Sequence, residues 1–156
     1  MRKHGYYGRY LITPGFKGEI LIRRYYCKEC KKTVSLLPSF CHPKRGYGIL
    51  AIFGVLAAFY IGMLGVCAAV AAFLAESGVE CSRQLLFHYR KRIEANLNSL
   101  IMAVTEMYSL RPPPVTEKEN AQKKVRQLLS AILFPQEDSL KIFKRTRTTY
   151  LTQQPI

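Results

Sequence analysis

Between Arg45 and Glu76 thirty consecutive residues carry no charge, and this stretch constrains the fold more than any other part of the chain. A transmembrane helix needs about 20 apolar residues, so length and hydropathy permit a span. Gly62-Met63-Leu64-Gly65 falls inside the run, however, and two glycines three apart weaken a continuous helix while suiting a connection between two shorter ones. The spacing predicts helices over about 47–61 and 66–76. Lys and Arg flank the run almost evenly, five in residues 26–45 and four in 76–95, which gives a single span no orientation. Eight of the thirty residues are alanine, a weak driver of insertion and a good filler where helices approach closely. The expectation is a folded helical core. The alternative is a small basic membrane protein with one transmembrane helix or helical hairpin near 48–74.

From Val66 onward the chain has the order of a helix-turn-helix. An Ala-rich helix ends near Glu76, Ser77-Gly78-Val79-Glu80 turns, and Ser82 caps a basic helix beginning Arg83-Gln84-Leu85-Leu86-Phe87-His88-Tyr89-Arg90-Lys91-Arg92. Gly78 can take the left-handed conformation that ends the first helix. Leu85, Tyr89, Ile93, Leu97, Leu100 or Ile101, and Val104 recur at helical spacing, predicting one buried stripe on a helix running to about Tyr108. The first residues of a recognition helix face the major groove, which makes Arg83 and Gln84 the candidates for base edges. Arg90, Lys91 and Arg92 are the candidates for phosphates. A two-fold DNA site would suit a homodimer.

The residues ahead of the run read as a small β module. Tyr6 to Ile12 and Glu19 to Tyr26 are aromatic and β-branched around a Pro14-Gly15 turn, the signature of a hairpin. The second run leads into Cys27-Lys28-Glu29-Cys30, whose spacing lets two thiolates reach one tetrahedral zinc. A closed site needs four ligands, and Cys41, His42 and His4 are the nearby candidates, although the adjacent Cys41-His42 pair converges poorly on one ion. The alternative is a pair of reduced structural thiols. Five cysteines, an odd number without the spread of a disulfide framework, suit a reduced cytosol, and residues 1–7 do not read as a secretory signal.

His4-Gly5-Tyr6-Tyr7-x-Arg9, Ile20-x-Ile22-Arg23-Arg24-x-x-Cys27-x-x-Cys30-x-x-Thr33, Leu36-Leu37-Pro38-Ser39-Phe40 and Pro43 together resemble an uncharacterised bacterial transposase-like family with an N-terminal zinc ribbon followed by a helix-turn-helix. The resemblance covers residues 4–110 and implies DNA binding linked to mobile elements. In that family an earlier CxxC knuckle precedes the His-Gly-Tyr segment. It is absent from this sequence, so the family's metal role carries over to Cys27 and Cys30 alone.

Charge agrees with a polyanionic partner. The chain holds 24 Lys and Arg against 10 Asp and Glu in 156 residues, a formal net charge of +14, beyond the roughly 2–8 that solubility requires. Residues 1–45 carry eleven Lys/Arg against two Glu, 46–110 four of each sign, and 111–156 nine against four. Arg23, Arg24, Lys31 and Lys32 in the first segment and Lys144, Arg145 and Arg147 in the last are further candidates for DNA contact. Asp138 is the sole aspartate, which rules out metal-dependent nucleases and transposases built on paired aspartates. No nucleophile or general base stands out, so the reading is not an enzyme.

The last segment opens with Arg111-Pro112-Pro113-Pro114, a stiff spacer. A Thr116/Glu119 capping box then predicts an amphipathic helix to about Phe134 that carries Val125, Leu128, Leu129, Ile132 and Leu133 on its apolar face. The expected architecture is α+β: a zinc-ribbon-like β-hairpin module at 1–45, a helix-turn-helix-like helical domain at 46–110, and a spacer, amphipathic helix and basic tail at 111–156. The expected function is non-catalytic binding of double-stranded DNA in the cytoplasm, with one zinc ion in the ribbon.

Overall fold

Two long strands of 12 and 11 residues, β1 (Arg2–Thr13) and β2 (Phe16–Tyr26), meet across a two-residue loop in which Thr13 pairs with Phe16. Pro14 followed by Gly15 at φ +78° is the chemistry of a type II turn. The pairing slips between Lys3 and Tyr6, where Gly5 takes φ +100°. A short β3 (Thr33–Ser35) adds to β2, completing an antiparallel sheet of order β1-β2-β3. This computed structural model describes residues 1–42, 46–108, 121–132, 135, 138 and 141.

Five helices follow: α1 (Ile49–Tyr60), α2 (Val66–Ser77), α3 (Arg83–Ala95), α4 (Leu97–Tyr108) and α5 (Ala121–Ala131). The fold is therefore α+β. The uncharged run breaks where its glycines fall, into two 12-residue helices. Each is roughly 18 Å long, against the roughly 30 Å of a bilayer's hydrocarbon core. Among the described residues no helix is long and apolar enough to cross a membrane.

Helix α1 is the centre of the core. Its Ala51, Ile52, Val55 and Leu56 are fully buried, and it packs against α2, α3, α5 and β1. Ile52, Val55 and Leu56 each contribute roughly 1.5–3 kcal/mol on burial. Gly54 allows α2 to approach, since a Cβ there would collide with the Phe73 ring. The sheet is fixed to the head of α1 by Ile12 N–H to the Gly46 carbonyl at 2.7 Å and Gly48 N–H to the Ile12 carbonyl at 2.8 Å. Ile49 N–H to the Phe40 carbonyl, at 3.0 Å, joins the covering loop to the same point.

Two expectations about the long helix are corrected. It is not regular from Ser82 to Tyr108: Asn96 leaves the helical conformation, at φ −106° and ψ 10°, and its Nδ2 donates to the Arg92 carbonyl at 3.0 Å, although the i→i−4 bonds of Asn96 N–H to Arg92 and of Leu100 N–H to Asn96 persist. The buried stripe is also rotated by one position at its start, with Leu86, Tyr89, Ile93, Leu97 and Leu100 inside and Leu85 half-buried.

Helix α5 adds Val125, Leu128 and Leu129 to the same core, and Arg126 Nε donates to the Tyr60 carbonyl at 2.9 Å. The sole aspartate, Asp138, is buried and accepts a hydrogen bond from the Tyr108 hydroxyl. The Pro112–Pro114 spacer, the Thr116/Glu119 capping box, Leu133 and Phe134 lie outside the described residues.

Candidate nucleic-acid interface

The α2–turn–α3 unit is built by local signals. Ser77 Oγ donates to the Phe73 carbonyl at 2.6 Å and accepts from Val79 N–H at 3.2 Å, and Gly78 at φ +67° closes α2 in the left-handed conformation. Ser82 then caps α3, its hydroxyl accepting from Leu85 N–H at 3.1 Å. Burial of Leu86, Tyr89 and Ile93 on one side fixes which residues face out.

Those outward residues are Arg83, Gln84, Phe87 and Lys91, all exposed. Arg83 Nη1 stands 3.7 Å from Cys67 Sγ, leaning across to α2. Phe87, which the stripe periodicity already turns away from the core, is 53% exposed, and its position four residues from Arg83 and from Lys91 puts it in the middle of the row.

Arg90 does not belong to that row. It is half-buried beside it: its guanidinium lies over the Phe59 ring of α1, 6.0 Å from the Phe87 ring centre, and its Nη2 is 3.7 Å from Glu94. Arg92 is half-buried at the last turn of α3. His88 stands edge-on to the Tyr89 ring.

In the sheet, Arg23 and Arg24 point to opposite faces. Arg23 stacks over Tyr6 and donates to its hydroxyl, and its bonds to Tyr25 and Tyr6 raise its pKa above the ordinary guanidinium value. Arg24 lies half-buried over Tyr7. Lys31 and Lys32 are exposed at the turn after the cysteines. Lys144, Arg145 and Arg147 lie outside the described residues.

Cys27 and Cys30 form a knuckle between β2 and β3. Lys31 takes φ +57°, Cys27 N–H donates to the Lys32 carbonyl at 2.9 Å, and the backbone N–H groups of Cys30 and Glu29 point at the Cys27 sulfur. Those hydrogen bonds, the Cys30 one foremost, hold the Cys27 thiol below the ordinary range. A sulfur whose charged form backbone donors favour, half open to solvent, fits one side of a thiolate metal site.

Cys41 and His42, the expected further ligands, are not brought there. Cys41 bridges to Gly48 at the head of α1, buried, and burial pushes its thiol up. His42 is 3% exposed; its carbonyl accepts from Arg9 and its ring stands edge-on to Tyr89 at 5.8 Å. Docking of the 36–42 loop on α1 takes both inward. Among the described residues no group of three or more His, Cys, Asp or Glu could hold a metal ion. His4, the third candidate, is exposed on β1 with its ring 5.6 Å from Tyr26.

A family model described as "Domain of unknown function (DUF6431)" matches residues 1–63, the sheet, the loop after it and α1. Comparison with curated proteins and with solved structures finds no match.

Proposed function

We propose that the chain is a non-catalytic DNA-binding protein related to transposase-like proteins of mobile elements, and that α3 enters the major groove of double-stranded DNA. The observation that carries this reading is the outward row Arg83, Gln84, Phe87 and Lys91 on a Ser82-capped helix that follows a short helix and a glycine turn. Arg83 and Gln84 reach base edges as bidentate donors and acceptors, Phe87 meets a thymine methyl, and Lys91 neutralises a phosphate. The net charge of +14 supplies the salt-dependent attraction that brings the duplex to this face.

In the same reading Cys27 and Cys30 hold one zinc ion, which ties the β2–β3 turn and presents Lys31 and Lys32 to the backbone. The protein acts in the cytoplasm, as a monomer on one half-site or as a homodimer on two.

Selection from a random duplex library, followed by gel-shift salt titration, tests the reading. Arg83→Ala should change the selected sequence, whereas Lys91→Ala should keep it and lower the salt slope by about one. Equal effects of the two substitutions on sequence preference would remove α3 from the groove.

A further inference from the structure

The sheet has one face covered and one open. Leu11 and Ile22 are buried on the covered side, the side on which Arg9 donates to the His42 carbonyl. On the other side Tyr6 is 53% exposed, Tyr10 52%, Leu21 73% and Leu36 59%. The solvent face of an antiparallel sheet is ordinarily polar, so a row of rings and aliphatics there needs an occupant.

The register defines the surface. Tyr6 stands opposite Arg23, Gly8 opposite Leu21 and Tyr10 opposite Glu19. Tyr6 and Tyr10 share a face at four residues' separation, roughly 13 Å along the strand. Between them Gly8 contributes no side chain, and the Glu19 carboxylate folds over it into the place a Cβ would take. The result is two exposed rings flanking a step in which the Glu19 carboxylate covers Gly8 and which Leu21 borders.

The rim is basic. Lys3, Lys17, Lys31 and Lys32 are all exposed, Arg23 is fixed over Tyr6, and Glu19 is the one acid on the three strands. Like charge of this density disfavours a second copy of the same face and favours a polyanion. Paired bases keep their faces stacked inside a duplex, so rings on an open sheet reach them only when the strand is single.

From this geometry we infer that the open sheet face binds single-stranded nucleic acid, with bases stacked on Tyr6 and Tyr10 and phosphates carried by Arg23, Lys3 and Lys17. Glu19 faces base edges in the step between the rings, where an exocyclic amine can donate to it. This site is separate from α3.

Fluorescence anisotropy of the full chain with oligo(dT) and oligo(U) of about 20 nucleotides tests it, since stacking on each ring contributes a measurable share of the affinity. Wild type should bind at least one of the two strands. The pair Tyr6→Ala with Tyr10→Ala should weaken binding about tenfold or more, while Tyr6→Phe with Tyr10→Phe keeps it within about threefold. Leu21→Glu, at an exposed position that the core does not use, should also weaken it. Arg83→Ala should leave single-strand binding unchanged while it alters duplex preference, so failure of either site is read separately. Absence of binding to both strands would overturn the inference. So would alanine variants that bind like wild type, or a dimer in sedimentation that the alanine pair dissolves.

Discussion

The guanidinium carbon of Arg90 sits 4.4 Å from the centroid of the Phe59 ring, so a cation from α3 is held on the central helix. Glu94 completes the arrangement by lying 3.7 Å from Arg90 and accepting from the Tyr60 hydroxyl at 2.8 Å. A half-buried cation over an aromatic face, with a carboxylate beside it, stabilises the packing of α3 on α1.

Arg90→Ala is expected to lower unfolding stability by about 1–2 kcal/mol in urea titration. Duplex affinity should stay within about twofold, since the guanidinium is held over Phe59 and beside Glu94. Lys91→Ala should behave in the opposite way, with unchanged stability and weakened DNA binding.

Gly54→Ala forces a methyl into the Phe73 ring, which is itself only 5% exposed and cannot swing away. Overpacking of this kind costs about 1–3 kcal/mol, and the helix propensity of alanine returns up to about 1. A lower urea midpoint with an unchanged slope is the expected result.

The Cys81 thiol is pushed up to about 11 by burial, from an ordinary 9.0. Its neutral form is favoured by folding, so its contribution is intact below the unfolded value and disappears as pH rises towards the folded one. Wild type should therefore lose roughly 2 kcal/mol more than Cys81→Ala between those two values, measured by urea unfolding across alkaline buffers. Parallel curves for the two proteins would refute this.

Purified protein is expected to release zinc when Cys27 and Cys30 are alkylated, and Cys27→Ser with Cys30→Ser should abolish uptake. Cys41→Ala should leave the zinc content unchanged, because that thiol is enclosed against α1. Metal content below about a tenth of an equivalent in wild type would empty the knuckle.

Features encoded within a few residues were legible in the chain. Gly62 and Gly65 broke the apolar run, Gly78 and Ser82 ended one helix and opened the next, and Pro14-Gly15 turned the hairpin. Features set by distant packing were not. Nothing near Cys41 or His42 says that their loop will dock on α1, and nothing in Arg90-Lys91-Arg92 says that only Lys91 will be exposed. The Asn96 break was hidden for another reason: the apolar period passes through it undisturbed, and the polar side chain's local bonds decide the geometry.

Because α1 packs against β1, α2, α3 and α5 while Arg83, Gln84, Phe87 and Lys91 lie exposed on α3, scaffold and outward row are energetically separable. Descendants of this chain can diversify those four positions without eroding the architecture that presents them.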